Sequence, residues 1–208
     1  MVKLKGPMLS LEASGTLAET VTVSNWKGRA YMKKHAVPSN NQQQAQLGIR
    51  TAMTFLTQQW SGLSAAQQES WQDLAEADQV SPVNSYVGTN LLRVADALAP
   101  TKEYPAAETA WAPAWGGVVT EVFPTFVRVQ LTVLPGPVPW PFFLYRDAST
   151  GFTPSPSNLV AMALGVNFPS VINIRDEPPS HGTWYYRKAS GSPDGSIAID
   201  ATETTVVF

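Results

Sequence analysis

The sequence contains no cysteine, so disulfides, thiol nucleophiles and thiolate-held metals are all excluded. Histidine is nearly as scarce. His35 and His181 are the only imidazoles, and neither has a carboxylate or a second histidine at ligand spacing, which argues against a metal centre or a general base. Charge is thin as well, at 14% against about a quarter in ordinary globular proteins. The formal net charge of -2 argues against bulk nucleic-acid binding, which normally needs a basic domain. No apolar run approaches the length of a membrane span, and the N-terminus lacks the apolar core of a signal peptide, so the chain is expected to be soluble and unexported, with no membrane partner.

Catalytic patterns are missing too. No serine stands in a Gly-x-Ser-x-Gly elbow; Ser64, Ser81 and Ser180 fit caps and turns instead. Gly116-Gly117 and Gly191-Ser192 lack a phosphate-loop context. Asp176-Glu177 precedes two prolines and reads as a turn, not as a pair of catalytic carboxylates. The expectation is a non-enzyme with no cofactor and no metal.

What is present is turn chemistry and adhesive surface. Glycine (14) and proline (17) are plentiful, and 208 residues suit one large domain or two small ones. From Gly6 to Pro38 the pattern is extended: Leu17, Glu19, Val21 and Val23 alternate with Ala18, Thr20 and Thr22. Asn25-Trp26-Lys27-Gly28 supplies a turn, and Arg29 to Val37 reads as the return strand of a hairpin. A lone hairpin is marginal in water, so this arm needs something to pack against. Its basic cluster (Lys27, Arg29, Lys33, Lys34 and His35) fits either a solvated strand face or an acidic partner surface. Trp26 and Tyr31 within it favour the partner, because aromatics and Arg anchor interfaces. The candidate partner-binding residues are Trp26, Lys27, Arg29, Tyr31, Lys33 and Lys34.

From Asn40 to Leu98 the period becomes helical. Ala45, Ile49, Ala52, Met53, Leu56 and Trp60 form one apolar stripe. Ser64 with Gln67 makes a capping box for a second helix with Trp71, Leu74 and Ala75 inward, where Trp60 and Trp71 read as core residues. Ser81-Pro82 opens a third, with Val83, Tyr86, Val87, Asn90, Leu91, Val94 and Leu98 on its buried face. Residues 99–113, with Pro100, Pro105 and several alanines, read as an extended linker. Beyond it the period returns to two, most clearly where Val127, Val129, Leu131 and Val133 alternate with Arg128, Gln130 and Thr132. Further strands are expected at 142–146, 171–175, 184–188, 197–199 and 204–208, with Pro193-Asp194-Gly195 at a hairpin tip. The expected fold is therefore an α+β domain at 1–98, a β-hairpin arm with three short helices, and after a linker at 99–113 an all-β sandwich at 114–208.

Two resemblances refine this. The stretch Pro178-Pro179-Ser180-His181-Gly182-Thr183-Trp184-Tyr185-Tyr186-Arg187-Lys188-Ala189 resembles the entry to the sixth strand of fibronectin type III domains, an immunoglobulin-like fold. The resemblance implies that Tyr185 or Tyr186 bonds across the strand corner; Lys188 stands where that family has an apolar inward residue. The first half resembles small proteins of tailed bacteriophages and prophages. It carries their Trp26-to-Arg29 arm, their Val37-to-Asn40 hinge, a Gln-rich helix over Gln42 to Arg50, and the Trp60, Leu63, Gln67, Trp71 run, with Asn41 where that group has proline.

That likeness implies a virion setting, in a particle made in the bacterial host cytoplasm. The expected role is a non-enzymatic structural protein, a capsid decoration or cement protein that binds the shell through its arm and helices. Its partners would be capsid, connector or tail subunits and further copies of itself. The alternatives are a head–tail connector, collar or tail component, or an adhesion module binding carbohydrate or a host surface through Trp111, Trp115, Trp140 and Phe152.

Overall fold

The computed structural model describes residues 15–17, 21–26, 29–34, 44–111, 115–136, 138–165 and 170–208. The chain divides into two compact units, Met1–Asn41 and Gln42–Phe208.

The first unit holds strands β1 (Gly15–Leu17), β2 (Val21–Trp26) and β3 (Arg29–Lys34), antiparallel in the order β1-β2-β3. The alternation from Leu17 to Val23 predicts one strand, but Leu17 lies opposite Val21 in register, so the run folds back on itself. The arm is thus a three-stranded sheet, not a hairpin. Its second connection is only residues 27 and 28, between the paired Trp26 and Arg29.

In the second unit the helices are α1 (Gln44–Gln59), α2 (Ala65–Glu69), α3 (Gln72–Ala77) and α4 (Pro82–Ala95). The expected second helix is broken into α2 and α3 at Ser70-Trp71. The caps stand where their residues demand: Ser64 and Gln67 bond reciprocally, and the Ser81 hydroxyl accepts from the Asn84 N–H with Pro82 in the first turn. Trp71 and Ala75 are buried, as are Tyr86, Asn90 and Val94 of α4.

The stripe of α1 is rotated from its expectation. Ile49 and Met53 are exposed, whereas Gly48, Ala52, Phe55 and Leu56 face inward. Gly48 decides this, because a Cβ there would collide with the Pro156 carbonyl oxygen. Only glycine lets α1 lie that close to the backbone at Pro156.

Eight strands follow among the described residues: β4 (Trp115–Val122), β5 (Val127–Val133), β6 (Phe142–Asp147), β7 (Leu159–Ala163), β8 (Ser170–Asp176), β9 (Thr183–Gly191), β10 (Ile197–Ile199) and β11 (Thr204–Val207). They form two antiparallel sheets. One runs β4-β5-β8; the other runs β10-β9-β6-β7, with β11 also pairing β9. Between them lie Val127, Val129, Leu131, Ile172 and Ile174 from the first sheet and Phe142, Leu144, Tyr186 and Val206 from the second. Strand β7 had no forecast, since Leu-Val-Ala-Met-Ala is too short and too uniformly apolar for either period to show.

The second sheet is covered on its outer face as well. Phe143, Tyr145, Leu159 and Ala189 pack with Ala52, Val94, Ala99 and Phe152. A third cluster joins Phe55, Leu56, Leu63, Trp71 and Tyr86 of the helical region to Trp140, whose ring centroid lies 5.8 Å from that of Phe55. Helices and sheets therefore share cores. The expected division at 99–113 is corrected: compactness divides the chain between residues 41 and 42 instead.

Residues 99–111 act as a strap. The buried Asn90 side chain donates to the Thr101 carbonyl (3.0 Å) and accepts from the Thr101 N–H (2.8 Å), copying a strand pairing. Trp71 Nε1 donates to the Lys102 carbonyl at 3.0 Å, and the Lys102 N–H to the Pro193 carbonyl at 2.8 Å. Arg93 reaches the carbonyls of Ala99 and Gly195 and pairs with Glu108 at 2.8 Å. Proline and alanine richness signalled an unpatterned backbone; partners distant in sequence supply its hydrogen bonds.

Two outcomes follow. Asn90→Ala strands two backbone groups of Thr101 and should lower unfolding free energy by about 2–3 kcal/mol in urea titration. A fragment of residues 114–208 should lack a cooperative transition, whereas residues 42–208 should unfold as one unit.

Candidate partner interface

The arm register sorts the six sequence-predicted residues. Thr22 lies opposite Lys33, Ser24 opposite Tyr31 and Trp26 opposite Arg29, so Trp26, Arg29, Tyr31 and Lys33 occupy one parity of the β2–β3 pair. Lys34, opposite Val21, falls on the other parity together with Met32. Lys27 and His35 lie outside the described residues. Met32, Lys33 and Lys34 are exposed, Met32 at 53%. Strand β3 ends the sheet order, so among the described residues its outer edge pairs with no strand. Such an edge presents unpaired backbone groups ready for another chain.

Of the aromatics proposed for adhesion, the three with described side chains form no exposed patch. Trp140 and Phe152 are buried, and Trp111 is half-buried with its Nε1 donating to Ser190 Oγ at 2.9 Å. The side chain of Trp115 lies outside the described residues. An aromatic feature that the sequence reading missed sits at the β4–β5 turn. Phe123 and Phe126 stack at 4.4 Å, with the Arg128 and Arg175 guanidinium groups over their respective rings. Both arginines are held by carboxylates, Glu121 at 2.9 Å and Glu177 at 2.8 Å. Residues spaced 49 apart build this ladder, so no local spacing signals it.

Two ionic groups inside the sandwich also needed the fold to be seen. Asp176, expected in a turn, ends β8 and is buried. Arg146 of β6 donates to it at 2.6 Å, and the Tyr186 hydroxyl of β9 donates at 2.6 Å, so the carboxylate joins the two sheets. Burial, and then the neighbouring Asp176 charge, push the Tyr186 phenol well above its ordinary range. The phenol stays a proton donor and the group is structural.

Lys188 is buried in a cleft of about 480 Å³ lined by Gly116, Asp200, Thr202 and Thr204. Its Nζ donates to the Gly116 carbonyl at 2.6 Å and pairs with Asp200 at 3.1 Å. Gly116 is required there, since a Cβ would collide with the Thr132 carbonyl oxygen at the β4 bulge.

Among the described residues no group of three or more His, Asp or Glu could hold a metal. His181 stacks on Phe208 at 4.8 Å in an exposed turn. No protein-family model, curated protein or solved structure matches the chain.

Three carboxyls around β10 and β11 are held below their ordinary range. For Asp200, partial burial opposes ionisation, but hydrogen bonds from the Thr202 backbone and the Lys188 partner outweigh it. Asp194 is lowered against the same opposition by Thr109 and Ser196, and Glu203 by Thr150, Gly151 and Arg187. A carboxyl depressed in the folded state stabilises above its unfolded pKa of about 4, and that contribution is lost as pH falls toward the folded value. Urea titrations at about pH 7 and about pH 3 should therefore show acid weakening, and less of it in Asp200→Asn. At neutral pH that variant should be less stable by about 1–3 kcal/mol, because the contacts of the Asp200 carboxylate with Lys188 and the Thr202 N–H are lost or weakened.

Proposed function

We propose that this protein is a non-enzymatic structural component of a bacteriophage virion, a capsid decoration protein anchored by its arm. The observation that carries the reading is the separate three-stranded unit with exposed Met32, Lys33 and Lys34 and a β3 edge that no strand pairs among the described residues. A three-stranded sheet of this size buries little on its own, and added strands or a flat partner surface would complete it. The likeness of Trp26 to Arg29 and of the Gln-rich helix to phage and prophage proteins supports the virion setting. Buried Trp140 and Phe152 count against adhesion through the sandwich.

The two-sheet part is read as a fibronectin type III-like sandwich. Three strands, β4-β5-β8, face the set β7-β6-β9 with β10 and β11 sharing its far edge. Tyr186 fills the corner position, although its hydroxyl meets the Asp176 carboxylate and not a backbone carbonyl. Lys188, the departure from that family, is compensated by Asp200. In this reading the sandwich projects from the particle or bridges neighbours, and fold alone assigns it no activity.

The test is mass spectrometry and C-terminal gold labelling of particles purified from a host carrying the gene. Label distributed over the head is expected, and absence from particles overturns the reading. Trp26→Ala should reduce incorporation by about tenfold or more, while Lys33→Ala changes it by less than about threefold, because a buried aromatic anchor outweighs a rim charge. Deletion of the residues before Pro38 should abolish incorporation while residues 42–208 stay folded.

A further inference from the structure

The chain separates its charges by position. Residues 1–41 carry six Lys and Arg against two Glu, whereas residues 42–208 carry eight against fourteen acids. In the sandwich Glu121, Asp176, Glu177, Asp200 and Glu203 each pair with an Arg or Lys. The acids of α2 and α3 have no such partner among the described residues. Between Arg50 and Arg93 there is no basic residue. Glu69, Asp73, Glu76 and Asp78 of that stretch are exposed, and none is in an ion pair among the described residues.

Asp73 and Glu76 lie three apart on α3, on the side away from buried Ala75. Like charges at that spacing repel. Glu76 and Asp78 also stand at the C-terminal end of α3, where the helix dipole disfavours acids. Among the described residues Gln72 donates to Glu76 at 2.8 Å. Val80, just beyond, is 44% exposed. The face is thus electrostatically uncompensated, with an apolar residue at its margin.

The arm has the complementary set. Lys33 and Lys34 are exposed and unpaired among the described residues, beside the exposed Met32. As consecutive residues on an edge strand they straddle that edge, so an edge-on approach delivers both ammonium groups and a thioether. We infer that the arm of one copy docks on the acidic α3 face of a second copy, Lys33 and Lys34 meeting Asp73 and Glu76. This rests on the reading of the arm as an interaction element and adds a contact between copies to its contact with the shell. The two patches differ, so the contact is heterologous. It leaves a free arm at one end and a free face at the other, and repeats into a ring or an open string.

The experiment is sedimentation velocity on the full-length protein over a concentration series at low and high salt. Concentration-dependent association that weakens with salt is expected. Lys33→Glu with Lys34→Glu should weaken association by about tenfold or more, as should Asp73→Lys with Glu76→Lys. All four positions are exposed, so thermal unfolding should be unchanged. Mixing the two variants is the decisive arm. Each is self-repelling, but in the mixture the acidic arm of the first meets the basic face of the second and the basic arm of the second meets the acidic face of the first, so association should return to the wild-type level. Failure to recover on mixing overturns the proposal. So does a wild-type chain that stays monomeric at every concentration and salt. Recovery only when all four substitutions share one chain would show an intrachain contact and also overturn it. None of these results bears on presence in particles, which is read separately.

Discussion

Strand β6 has no face to give to water, and the architecture of residues 42–208 depends on that. Phe142 and Leu144 point into the space between the sheets, while Phe143 and Tyr145 point the other way, and all four are buried. An antiparallel sheet ordinarily leaves one side solvated. Here the outer side would expose two aromatic rings and Leu159, each contributing about 2 kcal/mol when buried. The helices supply the missing layer, and the strap at 99–111 carries the chain from that layer into the sandwich. Helices and sheets are one folding unit because neither buries its apolar surface without the other.

The polar groups that enter this core obey the same economy. Arg146, Asp176 and Tyr186 meet across the sheets, and Lys188 meets Asp200 and a backbone carbonyl. Removing charges from water is tolerable only when their partners are in place. Asn90 does for the strap what a strand neighbour would do, satisfying both backbone groups of Thr101. Five acids of the sandwich pair with an Arg or Lys, while Glu69, Asp73, Glu76 and Asp78 of the helical layer and Lys33 and Lys34 of the arm form no ion pair among the described residues. This asymmetry turns a chain with a net charge of only -2 into one with two oppositely charged regions.

Much of the fold was legible in the residues. Ser64 with Gln67 and Ser81 with Pro82 marked helix starts through chemistry local to one turn. Val127, Val129 and Leu131 marked the inward face of β5, and Pro193-Asp194-Gly195 marked the β9–β10 connection. The candidate interface was legible only as a list: the residues of the arm were named, but the fold-back of β1 on β2 and the separation of Lys34 from Trp26, Arg29, Tyr31 and Lys33 by parity were not. A run that alternates with period two reads the same whether it is one strand or two, since a tight reversal leaves the alternation intact.

By itself the sequence determined the kinds of element, their caps, the impossibility of disulfides and the polarity difference between the arm and the rest. These depend on neighbours within a few residues or on composition. Tertiary structure alone decided which side of α1 faces inward, because Gly48 against Pro156 outweighs the apolar pull of Ile49 and Met53. It also decided that residues 99–111 are a strap and that Lys188 and Arg146 are core residues. In each case the deciding partner lies at least ten residues away in the chain, and no periodicity encodes where such a partner will be.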